Sequence, residues 1–320
     1  MSSIISKFGQ YVLLQVHDDK GLLIFETDSL RVDFDVRHIN RWTRAKITLF
    51  NLNPTTIKKI SSGDNFVSVS VSLHGGSLTL VAEDLYISNT FEEVKVPQSE
   101  FNMYCYSGMR RKYFEKRIDV TVTSPTIPKV VKQIAEAGGF TGVIEYKHFP
   151  SDILSFVPPN PTSHQSGSLL SCLAVYGAER DFNFYTEVNK LIIVYKPNAR
   201  NYRATDFYSN PADVVLSTKN MRSNPKIGPS TLSIVSNLDP SIKPSSVLDI
   251  SDLLTATADV PEETLFVAKQ YLADKIAGFT KYIALSVQHK GSNWTGNWLT
   301  QVSATSPTPG TDMPTVKWWG

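Results

Sequence analysis

Cysteine is nearly absent from this 320-residue chain: Cys105 and Cys172 are the only two. Two thiols exclude a disulfide framework and a cysteine-built zinc cluster, and they fit a reducing compartment. Charge is thin as well. Charged residues make up 19% of the chain, against roughly 25% in an ordinary soluble domain. The balance of 32 Lys+Arg against 30 Asp+Glu leaves a net charge of +2. That excludes nucleic-acid binding driven by overall charge, while leaving room for a local basic patch. A chain covered by protein neighbours needs less charge than one surrounded by water. No run approaches the ~18 consecutive apolar residues of a membrane helix, so no membrane anchor is expected. The apolar start is broken by Gln15, His17, Asp18 and Asp19. It has no basic region and small-residue cleavage site around it, so no signal peptide is expected.

Catalytic patterns are equally scarce. The histidines, His17, His38, His74, His148, His164 and His289, are scattered and form no HExxH, so no metal is expected. There is no GxSxG elbow, Walker loop or GxGxxG. His164 and Cys172 raise a Cys/His nucleophile, but Cys172 falls inside the apolar stretch Leu169–Ala174, which reads as a buried helix. Glu92-Glu93 and Glu262-Glu263 are adjacent carboxylates. Adjacent side chains point apart and do not make a general acid/base pair. The chain reads as a non-enzyme without a cofactor.

What is there is β-structure. Hydrophobic residues reach 41%, enough to build a core. Leu30, Val32, Phe34 and Val36 alternate with Arg31, Asp33, Asp35 and Arg37, and Val67, Val69, Val71 and Leu73 alternate with serines. Period 2 places each set on one face of an antiparallel sheet. Turn signals separate the strands: Asp18–Gly21, Asn51–Pro54, Ser61–Asp64 and His74–Ser77. Residues 1–109 therefore read as a barrel or sandwich. Residues 110–198 read as a compact α+β domain. A strand over Arg117–Thr123 is followed by a helix capped by Ser124, carrying Val130, Val131, Ile134 and Ala135, and closed by Gly138-Gly139. A Pro/Ser-rich link over Val157–Ser163 leads to the apolar helix and to two strands, Phe182–Glu187 and Leu191–Tyr195. Strands return over 199–304, with Ile283, Leu285 and Val287 as a half-buried face and one helix starting at Asp259. From Ser303 the chain reads as a Ser/Thr/Pro/Gly-rich tail, and residues 305–320 as an arm. Trp318 and Trp319 near its end are expected to dock on a partner.

Two further features stand out. Asn51-Leu52-Asn53-Pro54 recurs as Asn237-Leu238-Asp239-Pro240 after a similar strand-like run, which implies two related β-domains flanking the middle one. Arg110, Arg111, Lys112, Lys116 and Arg117, interleaved with Tyr113 and Phe114, form the basic cluster. It reads either as a solvated domain junction or as a lumen- or partner-facing patch.

The run RWTRAKITLFNLNPTTIKKISSG (Arg41–Gly63), followed by Phe66–Leu73, resembles the N-terminal signature of baseplate hub proteins of contractile-tailed bacteriophages. Gly228–Ile250 resembles that family's later strand–turn–strand unit, with Ser245 or Ser246 where a glycine is common. Tyr282–Thr300 is similar to its ending, through His289, Gly291, Trp298 and Thr300. Thr162–Tyr195 is similar to its middle domain. The resemblance implies two antiparallel β-barrels like the tail-tube barrel, flanking a mixed α+β domain. It implies a homotrimer whose six barrels adapt a hexameric tail tube, or tube-initiator protein, to a trimeric central spike protein. Other baseplate proteins would adjoin it in the virion, and genomic DNA would pass without sequence-specific binding. Asn51–Pro54, Asn237–Pro240, His289, Gly291 and Trp298 would then fix turns, packing or interfaces. Two other classes stand against this: a cell-wall hydrolase, and a β-rich adhesin stacking sugars on Trp294, Trp298, Trp318 and Trp319.

Overall fold

The structure, a computed structural model, describes residues 11–39, 41–72, 76–159, 162–196, 211–223, 225–227, 231–255 and 280–306. The expected helix from Asp259, Glu262-Glu263, and Trp318 and Trp319 in the arm lie outside the described residues.

Alternation sets the main sheet. In β3 (Val32–Ile39) Val32, Phe34 and Val36 are buried, and in β5 (Phe66–Ser72) Val67, Val69 and Val71 are. The first region adds β1 (Tyr11–His17), β2 (Leu23–Thr27), β4 (Trp42–Phe50) and the long hairpin β6 (Thr79–Lys95) and β7 (Gln98–Ser107). It also holds the helix α1 (Pro54–Ser61). The later region supplies the short strands β13 (Val214–Val215), β14 (Lys226–Ile227) and β16 (Val247–Asp249), with β15 (Thr231–Asn237), β17 (Lys281–Ser292) and β18 (Leu299–Thr305). Strand β18 extends through Thr305, three residues into the stretch expected as tail.

Among the described residues these strands do not close into two separate barrels. They hydrogen-bond into one 13-stranded sheet with the path β14-β15-β18-β17-β3-β4-β7-β6-β5-β1-β2, open at both ends among the described residues. The cause is β17. Its first residues pair with β16, and Val287–Ser292 pair antiparallel with β3 of the first region. Between Ala284 and Ser286 a bulge shifts its register with β18. The bulge also splits the expected Ile283/Leu285/Val287 face: Ile283 and Val287 are both buried, but in different clusters. One extra residue reverses the alternation, so Tyr282 and Ala284 are buried before it, Val287, His289 and Gly291 after it, and Leu285 stays half-exposed.

The middle unit sits beside this sheet. Strand β8 (Arg117–Thr123) pairs with β10 (Thr162–Ser168), so the expected link already ends in a strand at Thr162. Strand β12 (Lys190–Tyr195) lies between β11 (Phe182–Glu187) and β9 (Val143–Lys147), antiparallel to the first and parallel to the second. Helices α2 (Ile127–Ala137) and α3 (Leu169–Glu179) cover them. Thr126, not Ser124, caps α2: its side chain accepts from Lys129 N, while Ser124 takes φ +50° in the turn before it. Gly138 and Gly139 close the helix, with Gly139 at φ +82°.

Three large buried clusters result among the described residues. One fills the first region, a second fills the middle unit, and a third lies under β15–β18. Leu238 and Trp298 belong by sequence to the later region but pack into the first core.

Candidate functional site

In the first Asn-Leu-x-Pro turn, Asn51 takes φ +55°, a conformation asparagine tolerates better than most residues. Its N–H donates to Ser99 O (2.9 Å), and its Oδ1 accepts from Ser99 N (3.1 Å). Leu52 drops into the first core. Asn53 Oδ1 accepts from Thr56 N at 2.8 Å, and Pro54 opens α1, where its missing N–H is harmless. Sequence reasoning missed the far end of this helix: Asn65, buried, donates its amide to Ile60 O and Ser62 O. An asparagine just beyond a Gly-Asp turn was the available signal.

The second turn is built differently. Leu238 is buried, but Asp239 leads into turns rather than a helix. Asp239 Oδ1 accepts from Ser241 N at 3.0 Å, and Asp239 N donates to Thr300 Oγ1 at 2.8 Å. Thr300 Oγ1 lies 3.0 Å from His289 Nδ1, and the His289 ring also bonds to the Ile242 backbone. A neutral ring accepting at Nδ1 fits this chain of donors. Burial holds the pKa of His289 down to about 4. His38 faces it edge-on at 5.7 Å and is held down to about 3 by burial and by His289.

Gly291 and Trp298 complete the seam between β17 and β3. A Cβ on Gly291 would meet the Phe34 ring at 2.4 Å, so only glycine lets that ring lie across the strand. Trp298 is 1% exposed, stands edge-on to Phe34 at 5.7 Å, and donates Nε1–H to Ser292 O at 2.7 Å. A buried Trp298 cannot stack on a sugar, which removes it from the adhesin reading; Trp294 is exposed. Asn293, read from sequence only as a sequon residue, ties the seam: Oδ1 accepts from Val32 N and Nδ2 donates to Leu30 O.

The serine noted in a glycine-like position is Ser245, at φ +70° and 3% exposed. Its hydroxyl bonds to Tyr185 Oη (2.8 Å) and its carbonyl to His148 Nε2 (3.0 Å). Both partners belong to the middle unit. A glycine would suit the backbone but would forfeit the contact with Tyr185. Lys243 adds an ion pair to Glu187 at 3.2 Å, and Ser107 bonds Thr186 at 3.1 Å. The middle unit is therefore pinned both to the first region and to the later one.

The basic cluster lies at the other junction. Residues Arg110–Phe114 form one wide helical turn after β7. Arg110 pairs with Glu115, Arg111 with Asp64, and Lys112 with both oxygens of Asp84. Arg110 also lies over Trp42 and Tyr106, Arg111 over Tyr86, and Lys112 over Phe66. Lys116 lies over Tyr113, and Arg117 opens β8. Trp42 bridges to Phe114 (5.2 Å) and Phe184 (6.4 Å) of the middle unit.

The Cys/His candidates do not meet as a nucleophilic pair. His164 bonds Thr121 Oγ1, whereas Cys172 is buried in the middle core with its thiol pushed up by burial. Among the described residues no group of three or more His, Cys, Asp or Glu side chains could hold a metal, and no helix is long and apolar enough to cross a membrane.

The fold is shared with phage tail proteins. The 43 kDa tail protein of prophage MuSo2 from Shewanella oneidensis matches over 93% of this chain and 98% of its own, with a TM-score of 0.55 at 8% identity. A tail protein from Neisseria meningitidis MC58 matches over 92% and 96%, with a TM-score of 0.55 at 9% identity. No protein-family model and no curated protein sequence matches the chain.

Proposed function

We propose that the chain is a structural baseplate hub of a contractile phage tail. Three copies form a ring around the tail axis. Each half of the sheet, with its own core, plays the part of one tube-like barrel, and residues 110–198 form the unit between them. Six such halves face a hexameric tube, or its initiator, on one side, and the threefold symmetry suits a trimeric spike on the other. DNA passes through the centre. The role is symmetry matching, not catalysis, and the site of action is the virion tail.

The carrying observation is the correspondence in fold, over nearly the whole of both chains, with two tail proteins, one of them from a prophage. The cation clusters add detail. Arg110, Arg111 and Lys112 already hold acidic partners and aromatic faces, which favours a junction over a grip on DNA. The motif residues Leu52, Leu238, His289 and Trp298 are spent on the chain's own interior, so contacts with other proteins fall to exposed strands and hairpins. A density map of the assembled tail tests the proposal. The expected result is this chain at the axis, between tube and spike; a peripheral position overturns it.

A further inference from the structure

The middle unit meets its two neighbours through opposite faces of one ribbon. Side chains along β11 alternate between those faces. Phe184 and Thr186 point toward the first region: Phe184 packs with Trp42 at 6.4 Å, and Thr186 bonds Ser107 at 3.1 Å. Tyr185 and Glu187 point the other way, to the turn over 243–246 of the later region. There Tyr185 Oη bonds Ser245 Oγ at 2.8 Å, and Lys243 Nζ pairs with Glu187 at 3.2 Å. Ile192 on β12 stands opposite Tyr185 in register and, with Val194, shares its face.

The two junctions are made of different materials. The first is apolar and continuous with a core. Trp42 packs on the buried cluster of the middle unit, edge-on to Phe114 at 5.2 Å. The chain itself crosses here, from β7 through the wide turn Arg110–Phe114 into β8. The second junction is polar. Among the described residues no buried apolar cluster spans it: Tyr185, Ile192 and Val194 form one small cluster, and Val247 and Ile283 another. The contacts that cross it are of the kind made by Ser245 with Tyr185 and His148, and by Lys243 with Glu187.

Ser245 carries a side chain at φ +70°, a sparsely populated conformation that persists only where neighbours hold it. Those neighbours lie on both sides. Ser245 N–H donates to Ala284 O at 2.8 Å, and Ala284 N–H donates to Ser246 O at 2.9 Å. Ala284 is where β17 shifts register. The strained residue therefore ties the middle unit to the strand that joins both halves of the sheet. Contacts inside a core open only with that core, whereas a small set of polar contacts opens at lower cost.

We propose that the middle unit is hinged at the Trp42 junction and latched at Ser245, and that the latch opens while the large cores stay folded. Opening uncovers the face of Tyr185, Ile192 and Val194 and frees the turn that grips β17. The device rests on the two junctions and not on the hub reading.

Thiol labelling of the full chain with dithiobisnitrobenzoate tests it. Cys105 is 4% exposed in the first core and Cys172 2% exposed in the middle core, so each reports the opening of its own region. Ile192→Cys adds a thiol behind the latch, at a site 1% exposed. Under native conditions the new thiol should react at least about tenfold faster than the two native ones. Tyr185→Phe keeps the ring and removes the hydroxyl bond. It should speed the new thiol by roughly a further fivefold and leave Cys105 and Cys172 unchanged. Circular dichroism confirms folding, and Val194→Cys, on the same face, replaces Ile192→Cys if that variant does not fold. Thiols that all react at one rate would mean that the chain opens only as a whole, which overturns the latch. An effect of Tyr185→Phe that is equal at every thiol, or absent at the new one, overturns it too: the first is a general loss of stability, the second a hydroxyl that holds nothing closed. None of these results moves the chain's position in a tail map, so the hub reading stands or falls separately.

Discussion

The two Asn-Leu-x-Pro turns begin from nearly the same four residues and end in different structures. Asn53 caps an eight-residue helix, whereas Asp239 leads into a turn held by Thr300 and His289. The difference lies four residues on. After Pro54 come Thr-Thr-Ile-Lys-Lys-Ile, all able to continue a helix. After Pro240 comes Pro244, which would remove a hydrogen bond from the first turns and clash there. Ser245 at φ +70° then turns the chain toward the middle unit. Yet Leu52 and Leu238 end in the same buried cluster. The echo specifies a turn and one buried leucine; everything after it is set by neighbours the echo does not contain.

The largest effect is expected where the later region fills the first core. Trp298→Ala should destabilise the protein by about 3–5 kcal/mol. Denaturation followed by probes in both halves should show them weakened together. A loss confined to the later half would mean that the halves are independent.

The His289 network distinguishes the second turn from the first, and it is sensitive to acid. In the unfolded chain the ring takes a proton near pH 6.5; in the fold it does so only at about 4. The unfolded state therefore binds more protons between those values, and stability falls as pH drops from about 6.5 through about 4, being fully present above that window. His38 acts in the same direction. Stability measured at several pH values should fall less steeply for His289→Gln than for wild type; an unchanged slope would count against the buried neutral ring.

Gly291→Ala probes the seam between the two halves. The added methyl meets Phe34, and a cost of about 1–3 kcal/mol is expected by thermal denaturation. No loss would mean that the ring moves freely aside. The smallest effect separates the turns themselves. Asn53→Ala should cost about 1 kcal/mol through loss of the helix cap, and Asp239→Ala less, because Asp239 N–H still reaches Thr300. Equal losses would erase the distinction drawn between the turns.

Much of the sheet was legible in the sequence, because its signals are local. The alternation in β3 and β5 appears as expected, and so do the turn at Asn51–Pro54 and the Gly138-Gly139 helix end. The expectations that failed did so at particular residues. Ile283 and Val287 end in different clusters because a bulge after Ala284 shifts the register of β17 with β18, which no local pattern announces. The cap of α2 was placed at Ser124 because Ser124 and Thr126 are both able to cap, and only the backbone at φ +50° decides between them. The seam residues Asn293, Gly291 and Trp298 form no local pattern that reveals a partner. The amide of Asn293 reaches Val32, 261 positions away.

The sequence by itself determined strand periodicity, capped helix ends and turns, since each depends on residues within a few positions of one another. It also limited the chain's charge and its catalytic equipment. Only the tertiary structure decided that the two β regions join through β3 and β17 into one open sheet, and that Trp298 completes the first core. It likewise decided that Ser245 pins the middle unit. Those outcomes depend on which strand edges and buried faces meet across the whole chain, and a local pattern leaves that choice open.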